Sequence, residues 1–226
     1  MAQIAADCLE TPMENIVVFS VDTDISPYDS GSYASSTTYT TGVAVMKACK
    51  ELRGKICEVG AQMLGTDVDK VAFDGSYVFV DEDEEEEKKV SLEQVALKGT
   101  FFNNIELQVV KQHSSPLSPP PFMVGMAEVE VDTETGEVDV LDYVAVVDCG
   151  TPINPNLARV QTEGGIAQGI GMALFEDVQY TDKGKIRNNS FMQYKIPTRM
   201  DIGKIRDLIV DDELNREKVS AYVEEL

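Results

Sequence analysis

The chain has 226 residues, with 40 acidic against 19 basic side chains and a formal net charge of −21. Such a field repels nucleic acid and anionic membrane, so neither is expected as a partner. The composition is that of an ordinary globular protein with room for one large domain or two small ones, no apolar run reaches bilayer length, and no charged-then-apolar leader opens the chain, which together point to the cytoplasm.

In chain order, Ile4, Ala5, Cys8 and Leu9 have helical spacing, so a helix is expected over Ala2–Leu9, ended by Thr11-Pro12. Ile16–Val21 reads as a strand apolar enough to be buried on both faces. An acidic Pro/Gly turn follows, and then Ser32, Ser35, Ser36, Thr37, Thr38, Thr40 and Thr41 crowd the start of a helix expected over Thr40–Met63. Its apolar stripe is Val43, Ala44, Met46, Ala48, Leu52, Ile56 and Val59, and Gly54 and Gly60 weaken its second half. The hydroxyls meet N–H groups that have no helical partner, with Gly31 and Ala34 small enough to admit a ligand to the backbone. Two readings stand: an over-capped helix, or a cradle for a phosphate-bearing or electron-rich cofactor.

Short strands are expected at Val71–Val80 and Val90–Leu92, around an acidic run from Asp81 to Lys89 that reads as a solvated hairpin loop. Ser114–Pro121 is a Pro/Ser linker dividing a first half, 1–113, from a second, 122–226. His113, the one histidine, is expected to face solvent. Phe122–Val147 is a β-hairpin turning at Gly136, and Asp148–Pro155 is a loop of turn formers. Asn156 or a neighbour caps a helix over about Leu157–Phe175. Strand-like pieces follow near Val178–Tyr180 and Ile205–Val210, and a polar helix ends the chain. The fold class is α+β. Cys8, Cys49, Cys57 and Cys149 are scattered, and with one histidine they supply no convincing zinc or iron–sulfur shell.

In the second long helix Gln161 and Gln168 lie seven residues apart on one face, among Gly164, Gly165, Gly169 and Gly171. Each glycine costs a helix roughly 1 kcal/mol relative to alanine. Either close packing or a ligand against this face would account for them. Glu163 reads as a structural partner of Arg159 or a backbone amide, and Asp22 and Asp24 as turn and cap residues.

Three blocks also carry a resemblance: Asp22-Thr-Asp-Ile-Ser-Pro-Tyr-Asp-Ser-Gly-Ser-Tyr-Ala-Ser-Ser-Thr-Thr-Tyr, then Asp148-Cys-Gly-Thr-Pro-Ile-Asn-Pro with Ala158–Glu176, then Tyr194-Lys-Ile-Pro-Thr198. The chain resembles the C-terminal portion of the molybdenum-binding subunit of the xanthine dehydrogenase and aldehyde oxidoreductase family. The resemblance implies mixed sheets with two cofactor-facing helices. It also implies molybdopterin contacts at Ala34, Ser35, Thr37 and Gln161, with the metal held by the pterin and not by the protein. The implied reaction is hydroxylation of an N-heterocycle or aldehyde with water as the oxygen source. Its implied partners are a small-molecule substrate, a chain sharing the molybdenum cofactor, and subunits carrying iron–sulfur clusters and FAD. Ser36 stands where many members have a basic residue. The Gly-x-Gly-Glu block that supplies the family's catalytic glutamate does not follow Thr198, so no catalytic residue is assigned. The family's Gly-Gln-Gly loop would precede Met1. The expectation is a component incomplete alone, or else a truncated, non-catalytic fragment or scaffold that keeps the fold. With neighbours missing, self-association is expected.

Overall fold

The computed structural model describes residues 1–20, 22–29, 31–80, 88–103 and 105–210. The acidic run from 81 to 87 and the C-terminal tail from 211 onward lie outside the described residues. The chain divides into two compact units, Met1–Ser118 and Pro119–Leu226. Both mix helix and sheet, so the α+β expectation holds.

The first unit is built on one long helix. α1 (Ala2–Leu9) ends at Glu10 in a left-handed conformation, one residue before the Thr-Pro stop. α2 runs over Thr37–Leu64, three residues earlier than its apolar pattern indicates, and closes on Gly65 with φ of 70°. α1 lies along α2, with Ile4 against Gly42 and Glu10 paired with Arg53 at 2.6 Å. Beyond them β1 (Val71–Phe73), β2 (Tyr77–Val80) and β3 (Lys89–Ser91) form an antiparallel sheet in that order. α3 (Leu92–Lys98) follows, started by a capping box in which Ser91 and Gln94 satisfy each other's backbone N–H.

The core of this unit is Ile56, Val59, Phe73, Val78 and Val95. Only the C-terminal end of the expected stripe is therefore buried: Val43, Ala44, Met46 and Ala48 are half-exposed. Gly60, expected only to weaken the helix, is buried against β2. A Cβ there would stand 2.6 Å from Val78 Cγ1, so its missing side chain lets helix and sheet meet.

Ile16–Val21 is a clear departure. Residues 16–20 join no sheet, and Val17, Val18 and Phe19 are exposed. A strand exists only through its ladder, and among the described residues none pairs with this segment. His113 is half-buried rather than solvent-facing, its Nδ1 3.1 Å from Lys47 Nζ.

In the second unit β4 (Phe122–Val131) and β5 (Val138–Asp148) form the expected hairpin, with a bulge between Glu128 and Val129. β6 (Lys204–Ile209) joins β5 in parallel, giving the order β4-β5-β6. Gly203, with φ of 62°, makes this possible, since a Cβ there would collide with the Val140 carbonyl. The Val178–Tyr180 piece is not a strand: it contributes one bridge, Tyr180 to Ile186. α4 spans Pro155–Leu174, capped by Asn154, whose side chain accepts the Leu157 N–H at 3.1 Å. Val140, Ala145, Ile166 and Ile170 form the core between α4 and the sheet.

Candidate functional site

The first candidate segment is the acidic turn leading into α2. Asp22 accepts the Asp24 N–H at 3.0 Å, a side-chain turn as its sequence indicates. Asp29 ties the loop to the helix: one oxygen accepts the Gly31 N–H at 2.7 Å, and the other accepts the Thr41 hydroxyl at 3.2 Å. The chain then passes through Gly31 at φ 104° and two non-glycine residues in left-handed conformation, Ala34 and Ser35, both at φ 55°. Each such residue costs about 1–2 kcal/mol, which the surroundings must offset.

Ala34 and Ser35 are exposed, while Thr37 is half-buried with its hydroxyl donating to Ser32. Ser36 sits at the N-cap position but makes no side-chain cap hydrogen bond. The N-cap hydroxyl is thus not spent on the first turn, and the over-capped alternative loses its principal residue. Three of the four residues singled out, Ala34, Ser35 and Thr37, therefore share one strained, open turn at the N-terminus of a 28-residue helix. Such a terminus, with its backbone N–H groups and hydroxyls, suits an electron-rich ligand and needs no lysine or arginine.

Gln161 lies in the second unit, exposed, on α4. Together with Gly165 and Gly169 it lines one wall of an apolar groove of about 690 Å³, floored by Met123, Ala127 and Tyr143. Gly164, Gly165 and Gly169 face open space, whereas a Cβ at Gly171 would collide with Glu176 and approach Pro197 Cδ at 3.1 Å. Only Gly171 is therefore explained by packing within the unit. Gln168 is exposed and lies outside the groove lining. Arg159 and Glu163 form the i, i+4 ion pair that the sequence allows, at 3.7 Å.

Two features escaped the sequence reading. Tyr194 donates its hydroxyl to Glu176 at 2.7 Å, which joins the ends of the second and third motif blocks and pushes the Tyr194 phenol upward. Asp207 on β6 has a carboxylate oxygen buried without a hydrogen-bond partner. Burial, and then the nearby Glu163 charge, raise its pKa. Neither could be found from spacing, because each depends on segments brought together by the fold. Among the described residues no group of three or more His, Cys, Asp or Glu side chains could hold a metal ion. Nor is any described helix long and apolar enough to cross a membrane.

Residues 1–203 match the family model of the molybdopterin cofactor-binding domain. The chain is 35% identical over 205 residues to the probable hypoxanthine oxidase XdhD of Escherichia coli K12, covering 89% of this chain and 21% of that one. It is 32% identical to the nicotine 6-hydroxylase large subunit of Paenarthrobacter nicotinovorans, covering 89% and 25%. Among solved structures it is similar to reconstituted CO dehydrogenase from Oligotropha carboxidovorans, with TM-score 0.78, 27% identity and coverage of 93% and 26%. Quinoline 2-oxidoreductase from Pseudomonas putida 86 gives TM-score 0.74 and 28% identity, with coverage of 93% and 27%. The chain thus spans about a quarter of the length of such relatives. The matched residues take in all three motif blocks, the strained turn before α2 and the open glycine face of α4: this chain belongs to the molybdopterin cofactor-binding domain family, that of the xanthine dehydrogenase-type molybdenum-binding subunits.

Proposed function

We propose that this chain is the part of a molybdenum hydroxylase that grips the molybdopterin, incomplete alone and completed by further polypeptide. The observation that carries the reading is the turn before α2. Ala34 and Ser35 are held left-handed and exposed at a helix N-terminus that Ser36 leaves without a side-chain cap. Strain of this kind persists only where its surroundings enforce it, and it gathers at ligand clamps. The Ser35 and Thr37 hydroxyls and the α2 N–H groups would take the electron-rich part of the pterin, and Ala34 would let it approach the backbone. The Gln161 amide, able both to donate and to accept, would bind a second polar edge. When bound, the cofactor supplies the redox and oxygen-transfer chemistry. This chain's part is to hold and orient it.

The substrate class proposed is an N-heterocycle or an aldehyde, hydroxylated with oxygen from water. Relatives named for hypoxanthine, nicotine and quinoline support the heterocycle. Subunits bearing iron–sulfur clusters and FAD would carry the electrons away, and the location proposed is the cytoplasm.

The test is elemental and pterin analysis of the chain purified from its native host with whatever accompanies it. Molybdenum and pterin near one per chain, both reduced in Ser35→Ala and Gln161→Ala, are expected. Full molybdenum and pterin content in both variants would overturn the assignment of these contacts.

A further inference from the structure

We propose that Cys8 and Cys49 are a reversible redox pair: a peroxide joins them in a disulfide that ties α1 to α2 and closes the loop carrying the turn before α2. The contacts on either side place the two thiols. On α1, Ile4 lies one turn before Cys8 on the same face, and Glu10 follows just after it. On α2, Gly42, Cys49 and Arg53 share one stripe, seven and then four residues apart. A Cβ at Gly42 would stand 2.9 Å from Ile4 Cδ1, and Arg53 reaches Glu10 at 2.6 Å. The two helices therefore run side by side in the same direction, and both thiols fall between these contacts.

All four cysteines are free thiols. Cys57 lies two turns beyond Cys49, about 12 Å along the α2 axis, whereas bridged residues have Cα atoms within about 7 Å of each other. It is also past the Arg53–Glu10 contact, farther from Cys8 than Cys49 is. Cys149 is exposed and belongs to the second unit.

The settings of Cys8 and Cys49 divide the chemistry. Cys49 is 7% exposed, and burial, then the nearby Cys8, push its thiol above the ordinary range. Cys8 is only half-buried, so a solute reaches it first. The Cys8 thiolate attacks hydrogen peroxide: an S–O bond forms, the O–O bond breaks, and the departing hydroxide takes the proton the thiol lost, giving water. The sulfur is oxidised by two electrons to sulfenic acid and the peroxide is reduced. The Cys49 sulfur, as it gives up its proton, attacks the Cys8 sulfur. An S–S bond forms, the S–O bond breaks, and the leaving hydroxide takes that proton as water. Two thiols and one peroxide thus give one disulfide and two waters, and a dithiol reductant reverses the bridge by exchange.

The bridge encloses residues 9–48, which include Asp29, Ala34, Ser35 and Thr37. A cross-link restricts chiefly the unfolded chain, so oxidation holds α1 and this turn in place against opening.

The experiment treats the purified full chain with hydrogen peroxide at neutral pH and maps the cysteines by mass spectrometry without reduction. Urea denaturation and hydrogen exchange are followed before and after dithiothreitol. Expected are one peptide pair joining Cys8 to Cys49 within a single chain, a urea midpoint shifted upward, and slower exchange of the α1 amides, all reversed on reduction. Cys8→Ser, at a half-buried position, should lose the bridge and the midpoint shift together. Cys149→Ser should keep both. Cys49 left as a free thiol while Cys8 is oxidised to sulfinic acid would overturn the proposal. So would bridges found only between chains, or an equal midpoint shift in Cys8→Ser. Molybdenum and pterin are not read here, so failure of this pair leaves the cofactor contacts to their own test.

Discussion

Gly54 and Gly60 sit six residues apart on α2, and alanine at the two positions should shift stability in opposite directions. In an open helix interior, Gly→Ala gains about 1 kcal/mol from lost backbone freedom in the unfolded chain. At Gly54 a Cβ meets nothing within 4 Å, so Gly54→Ala is expected to stabilise the first unit by about that amount. At Gly60 the same Cβ falls 2.6 Å from Val78 Cγ1, 2.7 Å from its Cβ and 2.9 Å from its Cγ2. Val78 is fully buried and sits on the central strand of its sheet, paired with Phe73 on one side and Val90 on the other. A rotamer change cannot move its Cβ, so strand or helix must shift. Overpacking of this kind costs about 1–3 kcal/mol, and three contacts below 3 Å put it near the top of that range. After the propensity gain, Gly60→Ala should destabilise by about 2 kcal/mol. Urea denaturation followed by far-ultraviolet circular dichroism, with hydrogen exchange of the α2 amides to localise the effect, measures both variants. A Gly60→Ala protein as stable as the parent, or a Gly54→Ala protein less stable, would refute the packing argument.

Two carboxylates of the second unit should respond to pH with opposite signs. Asp142 is held below the usual carboxylate range, first by its hydrogen bond with Arg206, so its contribution is present above the ordinary aspartate range and lost as pH falls through the depressed value. Asp142→Asn should therefore destabilise β5 and β6 at neutral pH and converge with the parent in strong acid, as read by exchange of the β5 amides. Asp207 is raised by burial and then by Glu163, so the fold favours its neutral form and loses that contribution as pH rises. Asp207→Asn should stabilise the same amides at neutral pH, with the gap closing below the ordinary aspartate range. No difference between these two variants across pH would count against both assignments. Asn154→Ala should cost about 1 kcal/mol by removing the α4 cap, visible as faster exchange in its first turn. Ser35→Ala and Gln161→Ala, exposed as both side chains are, should lower molybdenum and pterin content while leaving thermal stability within about 0.5 kcal/mol.

Local chemistry was legible in the chain itself. The Thr-Pro stop after α1, the Asp132–Glu137 turn with Gly136 and the Arg159–Glu163 pair all act within a few residues, and each stands where its pattern indicates, whereas α4 opens two residues earlier than expected, capped by Asn154 and with Pro155 and Asn156 inside the helix. The Ser91–Gln94 capping box was equally local: the strand expected at Val90–Leu92 is present as β3, and the box marks the start of α3 directly after it, a helix the sequence reading did not include. The hydroxyl cluster was visible, but its state was not. That Ala34 and Ser35 turn left-handed and that Ser36 makes no side-chain cap is seen only in the folded loop, whose Asp29 accepts the Thr41 hydroxyl twelve residues on. Long-range decisions were out of reach for the same reason. Ile16–Ser20 has the apolar content of a strand, yet pairing needs a neighbour, and among the described residues none pairs with 16–20. Gly60 reads as a weakness until Val78 arrives opposite it from eighteen residues away. Thus the sequence alone determined the elements whose hydrogen bonds and side chains close within a turn or two. The tertiary structure decided which faces are buried, which glycines are contacts, and which edge stays open, because those depend on surfaces that meet only after the chain has folded.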